Sequence, residues 1–295
     1  MSSHHRHLDT DQLLTPTGAD RELARTKREI CTYLENTVAS AGADGVVIAM
    51  SGGLDSTLTT VLATEALGPD RVIGLGLPVS KTDGISVSEA RTIADGLGIE
   101  FEEIQLRPLL EVFDDLVGTP LGIGDDPRAR GNAVARVRMC CAYLVANAQN
   151  RLVCGTANRS ELLLGYFTKY GDGGADFHPL GDLYKTEVRE LAKHVGVPRR
   201  IIEKQPTAGL EAGQTDADDL GAGYADIDPL LERVVEGGEP VERVLPDLDI
   251  DGATAADILV QSVETSHKRR MPSTPETAAV RTALEETLCG DDVVQ

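Results

Sequence analysis

The sequence predicts an α/β protein: a doubly wound parallel sheet with flanking helices and a helical C-terminal part. Three observations carry that expectation. Apolar runs alternate with helix-patterned segments through the first half of the chain, the order that yields parallel strands joined by crossover helices. The first run, Gly45-Val-Val-Ile-Ala-Met50, is continuously apolar, as a strand covered on both faces requires. It leads straight into Ser51-Gly-Gly-Leu-Asp-Ser56 and then a helix, which puts a glycine turn at the carboxyl end of a buried strand.

Residues 1–20 are polar, carry His4, His5 and His7, and are expected to form a disordered tail. Arg21 to Ser40 is a charged, helix-favouring lead-in. The first strand, Gly45–Met50, is followed by a helix over Ser56–Leu67 that Gly68-Pro69 ends. A second strand is expected over Arg71–Leu77 and a helix over Ser86–Leu97, closed by Gly98. A third short strand follows near Ile99–Ile104. Beyond the Gly-, Asp- and Pro-rich loop of Gly118–Gly131, apolar residues fall at Val134, Val137, Cys141, Leu144 and Ala148, the spacing of a buried helix stripe. Leu152-Val-Cys154 reads as the fourth strand. Past Thr186 the pattern is mainly helical, and the acidic stretch Thr215–Asp251 is expected to face solvent. One domain is expected over 21–275, with 276–295 a C-terminal tail.

Composition narrows the function. The chain has 295 residues, 41% of them hydrophobic but only 3% aromatic, so its core must be Val, Leu, Ile and Ala. No stretch approaches the roughly 20 apolar residues of a membrane span, and the N-terminus has no apolar signal core. Cys31, Cys140, Cys141, Cys154 and Cys289 form no CxxC pair, which suits reduced thiols and a cytoplasmic location. A net charge of −20 repels nucleic acid and anionic membranes, so neither is expected as a partner. It also repels anionic substrates, so a nucleotide site here needs local cations. An acidic chain with only seven lysines resembles the proteins of salt-accumulating microbes, and a halophilic protein is expected.

The hexapeptide Ser51–Ser56 has the makings of a phosphate cradle. Its glycines let backbone N–H groups approach an anion, and the helix that follows adds its positive dipole end. A carboxylate such as Asp55 is out of place beside phosphate unless a cation lies between them, which suggests Mg²⁺. A plain glycine turn with an N-capping Ser or Asp would explain either residue singly but not the whole element. There is no GxxxxGK[ST] element. The loop resembles the pyrophosphate loop of N-type ATP pyrophosphatases, enzymes that release pyrophosphate while transferring AMP.

The middle of the chain chooses the substrate. Gly131–Met139, Gly155-Thr-Ala-Asn158-Arg-Ser-Glu161, Gly165-Tyr-Phe-Thr-Lys-Tyr-Gly-Asp172 and Asp176–Lys185 occur in that order, followed by Gln205-Pro-Thr207, Gln214-Thr-Asp216 and His267-Lys-Arg-Arg270. From about Arg21 to Pro272 the series resembles the NAD synthetase family, which implies a Rossmann-like, adenine nucleotide alpha hydrolase-like fold. It also implies ATP-dependent amidation of deamido-NAD by ammonia, with AMP and pyrophosphate released and an acyl adenylate between the two steps. By the same resemblance, Ala49, Met50, Ser51, Gly52, Gly53, Leu54, Asp55 and Ser56 bind ATP together with Thr156, Lys185 and Thr207. Asp55 and Glu161 hold Mg²⁺, and Arg136, Lys169, Asp176, His267 and Lys268 contact deamido-NAD. Asp55, Glu161, Lys185 and Asp176 form the expected catalytic set, with Asp176 a candidate acceptor for the ammonium proton. The family pattern implies a homodimer with sites near the subunit interface.

The residues themselves agree on two points. Glu161 falls just past the fourth strand, on the sheet edge where such folds bind ligands. Lys169, Lys185 and Lys268 are three of only seven lysines, all inside these segments. Tyr166, Phe167 and Tyr170 either pack under a loop or form a lid over the reacting nucleotides. Arg138 is expected only to stabilise its helix or the surface. The stretch before Gly45 has one cysteine, Cys31, without glutaminase surroundings, so free ammonia is the expected nitrogen donor. Two rival readings are an amide- or sulfur-transferring relative, which needs a basic face or a glutaminase, and a non-catalytic nucleotide-binding module, which does not require Glu161 and the Lys169 segment.

Overall fold

A computed structural model of the chain describes residues 18–80, 83–123, 126–205 and 215–275. Helix α1 (Gly18–Ser40) begins ahead of the expected Arg21 and buries Ile30, Leu34 and Val38, a stripe at i, i+4 spacing. β1 (Gly45–Ala49), α2 (Leu54–Leu67), β2 (Val72–Gly76), α3 (Asp83–Leu97) and β3 (Glu100–Glu103) follow in strict alternation. A helical excursion with α4 (Arg107–Phe113) and α5 (Thr119–Leu121) leads into the long α6 (Pro127–Ala148), whose first N–H groups are capped by Asp126. β4 (Arg151–Val153), α7 (Arg159–Leu164), α8 (Lys185–His194) and α9 (Arg199–Ile202) come next. The C-terminal part holds α10 (Asp216–Leu220), α11 (Tyr224–Leu230), α12 (Val241–Val244) and α13 (Gly252–Glu264).

The four strands of the described residues are all parallel, in the order β3-β2-β1-β4. From β1 the chain winds one way through β2 and β3, then returns to the other side of β1 for β4. The reversal opens a crevice at the carboxyl ends of β1 and β4, the place where open α/β sheets bind ligands. Val46 and Ile48 join a core shared with α1, α2 and α8, whereas Val47 joins one shared with α4 and α6. That alternation is the two-residue period of a strand covered on both faces.

Two expectations need correction. Leu144 is 71% exposed and Ala148 is exposed too, so the buried stripe of α6 drifts from Val134, Val137 and Cys141 onto Ala142 and Ala146. Small alanines let the end of this helix approach the sheet closely. The stretch Thr215–Asp251 does not simply face solvent, because Leu220, Tyr224, Ile227, Leu230, Leu231 and Val244 form a third core against Leu164, Tyr184 and α13. Their three- and four-residue spacing is a helix stripe that the surrounding carboxylates hide in a composition count. Residues 1–17 and 276–295, with most of the two expected tails and Cys289, lie outside the described residues. Among the described residues, no helix is long and apolar enough to cross a membrane.

Candidate nucleotide and metal site

The β1–α2 loop is shaped by hydrogen bonds within itself. Gly53 N–H donates to Ser51 Oγ at 3.2 Å, Ser56 Oγ donates to the Gly53 carbonyl at 3.2 Å, and the two hydroxyls lie 3.2 Å apart. Gly52 adopts φ +71°, and a Cβ there would stand 2.2 Å from the Ser86 carbonyl oxygen, so α3 backs directly onto the loop. Lys204 Nζ ties that junction, reaching Glu89 at 2.9 Å, Ser86 Oγ at 3.3 Å and the Gly52 carbonyl at 3.4 Å. Ala49 and Ser51 are exposed at the mouth of the crevice. Met50 and Leu54 bury their side chains in the core and offer a ligand only their backbone. Leu54 and Asp55 belong to the first turn of α2, two residues earlier than the helix start expected at Ser56.

Two residues from different elements meet Asp55, and both also hold Glu161. Asn158, at the N-cap of α7, donates from Nδ2 to Asp55 Oδ1 at 2.9 Å. Its Oδ1 accepts the Glu161 N–H at 3.0 Å, while its own N–H donates to Glu161 Oε2 at 3.3 Å, a reciprocal capping box. Lys185, the first residue of α8, donates to Asp55 Oδ2 at 2.5 Å and to Glu161 Oε1 at 3.1 Å. The Lys185 side chain is only 3% exposed. Burial works against its charged form, but the Asp55 and Glu161 carboxylates outweigh that and hold the amine above its ordinary value. Burial pushes the Glu161 carboxyl up to about 7, opposed by the Lys185 ammonium and assisted by the Asp55 charge.

Buried polar groups fix the two helices that deliver Glu161 and Lys185. Ser160 Oγ donates to Asp228 Oδ1 at 2.5 Å and accepts the Lys185 N–H at 2.9 Å, while Thr186 N–H donates to Asp228 Oδ2 at 2.9 Å. One carboxylate on α11 thus joins the N-termini of α7 and α8. Tyr224, also on α11, lays its ring 5.5 Å from Lys185 Nζ and donates its hydroxyl to Asp216 Oδ2 at 2.9 Å. Asp216 is buried, its Oδ1 has no hydrogen-bond partner among the described residues, and burial raises its carboxyl above the usual range.

A second group gathers four of the five residues expected on deamido-NAD. Arg136 Nε donates to the Lys169 carbonyl at 3.3 Å, and Lys169 Nζ donates to the His267 carbonyl at 2.7 Å. Lys268 Nζ donates to the carbonyls of Gly165 and Phe167 at 2.6 and 2.9 Å, and His267 Nδ1 lies 3.0 Å from the Glu264 carbonyl. Tyr170, next to Lys169, holds φ +60°, an unusual backbone for a non-glycine residue. Among the described residues Asp176 shares no hydrogen bond with either group and instead accepts the Val153 N–H at 2.7 Å and the Tyr143 hydroxyl at 3.1 Å, closing the open edge of β4. Thr156 is half-buried just past β4, and Thr207 lies outside the described residues. Tyr166 packs on the third core and Phe167 against Gly173, as the packing alternative expects. Arg138 does more than decorate its helix, because its Nε donates to the Leu77 carbonyl at 3.1 Å, past the end of β2.

Sequence reasoning gives no role to Asn158, Ser160, Asp216, Tyr224 or Asp228. The first three sit inside the distinctive segments of the middle of the chain, which is a signal that could have found them. Tyr224 and Asp228 carry none, since most of their partners lie tens of residues away.

The fold and the site define a nucleotide-binding α/β protein whose glycine loop and paired carboxylates share the crevice between β1 and β4. Within that class the chain belongs to the NAD synthase family, whose profile matches residues 26–272. It is 41% identical over 256 residues to the NH(3)-dependent NAD(+) synthetase of Methanosarcina acetivorans, covering 86% of this chain and 99% of that one. Its likeness to the protein of the same name from Archaeoglobus fulgidus is 44% over 249 residues, covering 82% and 93%. Among solved structures, the NMN synthetase of Francisella tularensis superposes with a TM-score of 0.74 at 33% identity, covering 86% of this chain and 99% of that one. The NH3-dependent NAD synthetase of Campylobacter jejuni, in complex with the nitrate ion, gives 0.72 at 28% identity, again covering 86% and 99%.

Proposed function

We propose that the protein is an ammonia-dependent NAD synthetase, a ligase that amidates deamido-NAD at the expense of ATP. The observation that carries this reading is the convergence of Asp55, Glu161 and Lys185 beside the Ser51–Ser56 loop. The nicotinate carboxylate attacks the α-phosphorus of ATP, the bond to the β-phosphate breaks, and pyrophosphate leaves from an acyl adenylate. Ammonia then adds to the activated carbonyl, AMP departs, and one proton is released. The first step asks for in-line positioning and charge neutralisation rather than acid–base chemistry. Loop N–H groups and the N-terminus of α2 receive the phosphates, and the Lys185 ammonium adds charge beside them. The Arg136, Lys169, His267 and Lys268 group supports the other nucleotide. Asp176 serves as an orienting or proton-accepting group in the second step, for which its position at the edge of β4 keeps it exposed.

The residues present fit Mg²⁺. Asp55 and Glu161 already share one cation, the Lys185 ammonium, and Mg²⁺ commonly takes one or two carboxylates with substrate phosphates completing its shell. Bound there, it would neutralise the charge of the departing pyrophosphate.

A homodimer is part of the proposal. Leu109, Val112, Phe113, Leu116, Leu121 and Ile123 are all exposed between residues 109 and 123, the kind of apolar clustering that marks an interaction surface. Leu116→Asp should shift the protein from dimer to monomer in light scattering, and an unchanged dimer would move the interface elsewhere. Cytoplasmic residence is supported by the free thiols of Cys31, Cys140, Cys141 and Cys154.

The deciding assay supplies ATP, Mg²⁺ and ammonium with either deamido-NAD or nicotinate mononucleotide, the carboxylate counterpart of NMN. Formation of AMP and NAD from the dinucleotide is expected, at a kcat/KM well above that for the mononucleotide. A preference for the mononucleotide would sink the assigned substrate. A glutamine arm freed of ammonia should give no NAD.

A further inference from the structure

Every oxygen of the Asp55 and Glu161 carboxylates is taken by a donor, and two residues supply all of them. Asn158 holds Asp55 Oδ1 through its side-chain amide and Glu161 Oε2 through its backbone N–H. Lys185 Nζ holds the other two, Asp55 Oδ2 and Glu161 Oε1. Each oxygen keeps a further lone pair, but a divalent cation bridging both carboxylates takes the place that the Lys185 ammonium now holds between them, and like charge repels it from there.

The two donors are unequal in their freedom to leave. Both side chains are buried, but the contacts of Asn158 with Glu161 are the capping box that starts α7. Withdrawing it undoes the first turn of that helix. Lys185 reaches in on a flexible four-carbon stem. Its charge is also what an entering cation replaces, so the carboxylates are never left facing each other without a counter-charge. Tyr224 keeps an aromatic face 5.5 Å from Nζ, a surface the ammonium can stay against once it leaves the carboxylates.

Resting on the reading of Asp55 and Glu161 as the Mg²⁺ ligands, we propose that Asn158 is the permanent positioning residue of that pair and Lys185 a resident counter-ion that the entering cation displaces. The displaced ammonium becomes available to the substrate phosphates only when the metal has arrived. Cation binding and phosphate binding are thereby coupled through one side chain. Asn158 touches no substrate in this scheme and acts through the two carboxylates it orients.

The test uses the full chain without nucleotide and Mn²⁺ as the probe, with free Mn²⁺ read by electron paramagnetic resonance. Asp55→Asn and Glu161→Gln come first. If both bind Mn²⁺ as the unaltered protein does, the metal reading itself falls, independently of the present proposal. Asn158→Ser keeps an oxygen to cap α7 but has no amide for Asp55. It should bind Mn²⁺ about tenfold more weakly, the usual effect of removing a group that orients a metal ligand, with little change in melting temperature. Unchanged affinity in Asn158→Ser overturns the positioning role. Lys185→Met should bind Mn²⁺ about tenfold more tightly, because the resident competitor is gone. Added Mn²⁺ should also raise its melting temperature more than that of the unaltered protein. Unchanged or weaker binding in Lys185→Met overturns the exchange. Should Asn158→Ser fail to fold, crystals of the unaltered protein soaked in Mn²⁺ decide the matter. An anomalous peak between the carboxylates, with Asn158 still on Asp55 and Lys185 withdrawn, is expected. A peak with Lys185 still bridging both carboxylates overturns the proposal.

Discussion

Asp55 and Asn158 are 103 residues apart in sequence and 2.9 Å apart in space, and that contrast marks what can be read from residues alone. Asp55, Glu161 and Lys185 each sit in a short, distinctive segment, so their chemistry is legible before the fold. That a lysine lies between the two carboxylates is not, because the contact depends on how α7 and α8 are set against α2. The cationic group shows the same division. Lys169 and His267 stand in separate motifs of the sequence, and the structure joins them through a bond from Lys169 Nζ to the His267 carbonyl. Arg136→Ala and Lys169→Ala should therefore raise KM for deamido-NAD about tenfold, or ~1.4 kcal/mol, with KM for ATP nearly unchanged. Steady-state titration of each substrate checks this, and equal losses for both would detach these residues from the dinucleotide.

Elements are legible where hydrophobic pattern alone decides them. The β1 run, the alternation through β3 and the helix stripe at Val134, Val137 and Cys141 all express burial against a sheet, which period and apolarity report directly. Thr215–Asp251 misleads because its carboxylates dominate composition, although two of them, Asp216 and Asp228, are buried. Asp228 has consequences for the whole element set, as it satisfies Ser160 Oγ and the Thr186 N–H at the starts of α7 and α8. Asp228→Ala leaves both of those groups without their partner in a buried setting. Each such loss costs about 1–3 kcal/mol, so a stability decrease of ~2–6 kcal/mol is expected. Because the two helices carry Glu161 and Lys185, kcat should fall together with melting temperature. Thermal melts and initial rates measure the two effects, and full activity in a destabilised protein would show that Asp228 supports the fold without setting the site.

At the scale of the whole molecule, charge sets the behaviour. The chain carries 48 acidic against 28 basic residues, and much of the excess is on the surface, as at β3, where Glu100, Glu102 and Glu103 are exposed along a sheet edge. Those carboxylates guard the edge against pairing with another chain, yet they add to the self-repulsion of the compact state. Ion pairs relieve it locally, as between Arg91 and Glu103 at 3.0 Å, but cannot neutralise a net −20. Mobile ions can. The screening length contracts from about 10 Å at 0.1 M salt to about 3 Å at 1 M, so exposed charges act on progressively fewer neighbours as salt rises. We propose on this ground that the protein is halophilic, and its melting temperature should climb with KCl, steeply at first and then more slowly. The charge origin can be separated from a general strengthening of apolar burial by salt. Glu100→Lys with Glu102→Lys reduces the excess without touching the core, so the double variant should show a higher melting temperature in dilute buffer and a shallower rise with KCl. Parallel curves for the two proteins would assign the salt effect to apolar burial instead, and a flat or falling melting temperature in KCl would sink the halophilic reading.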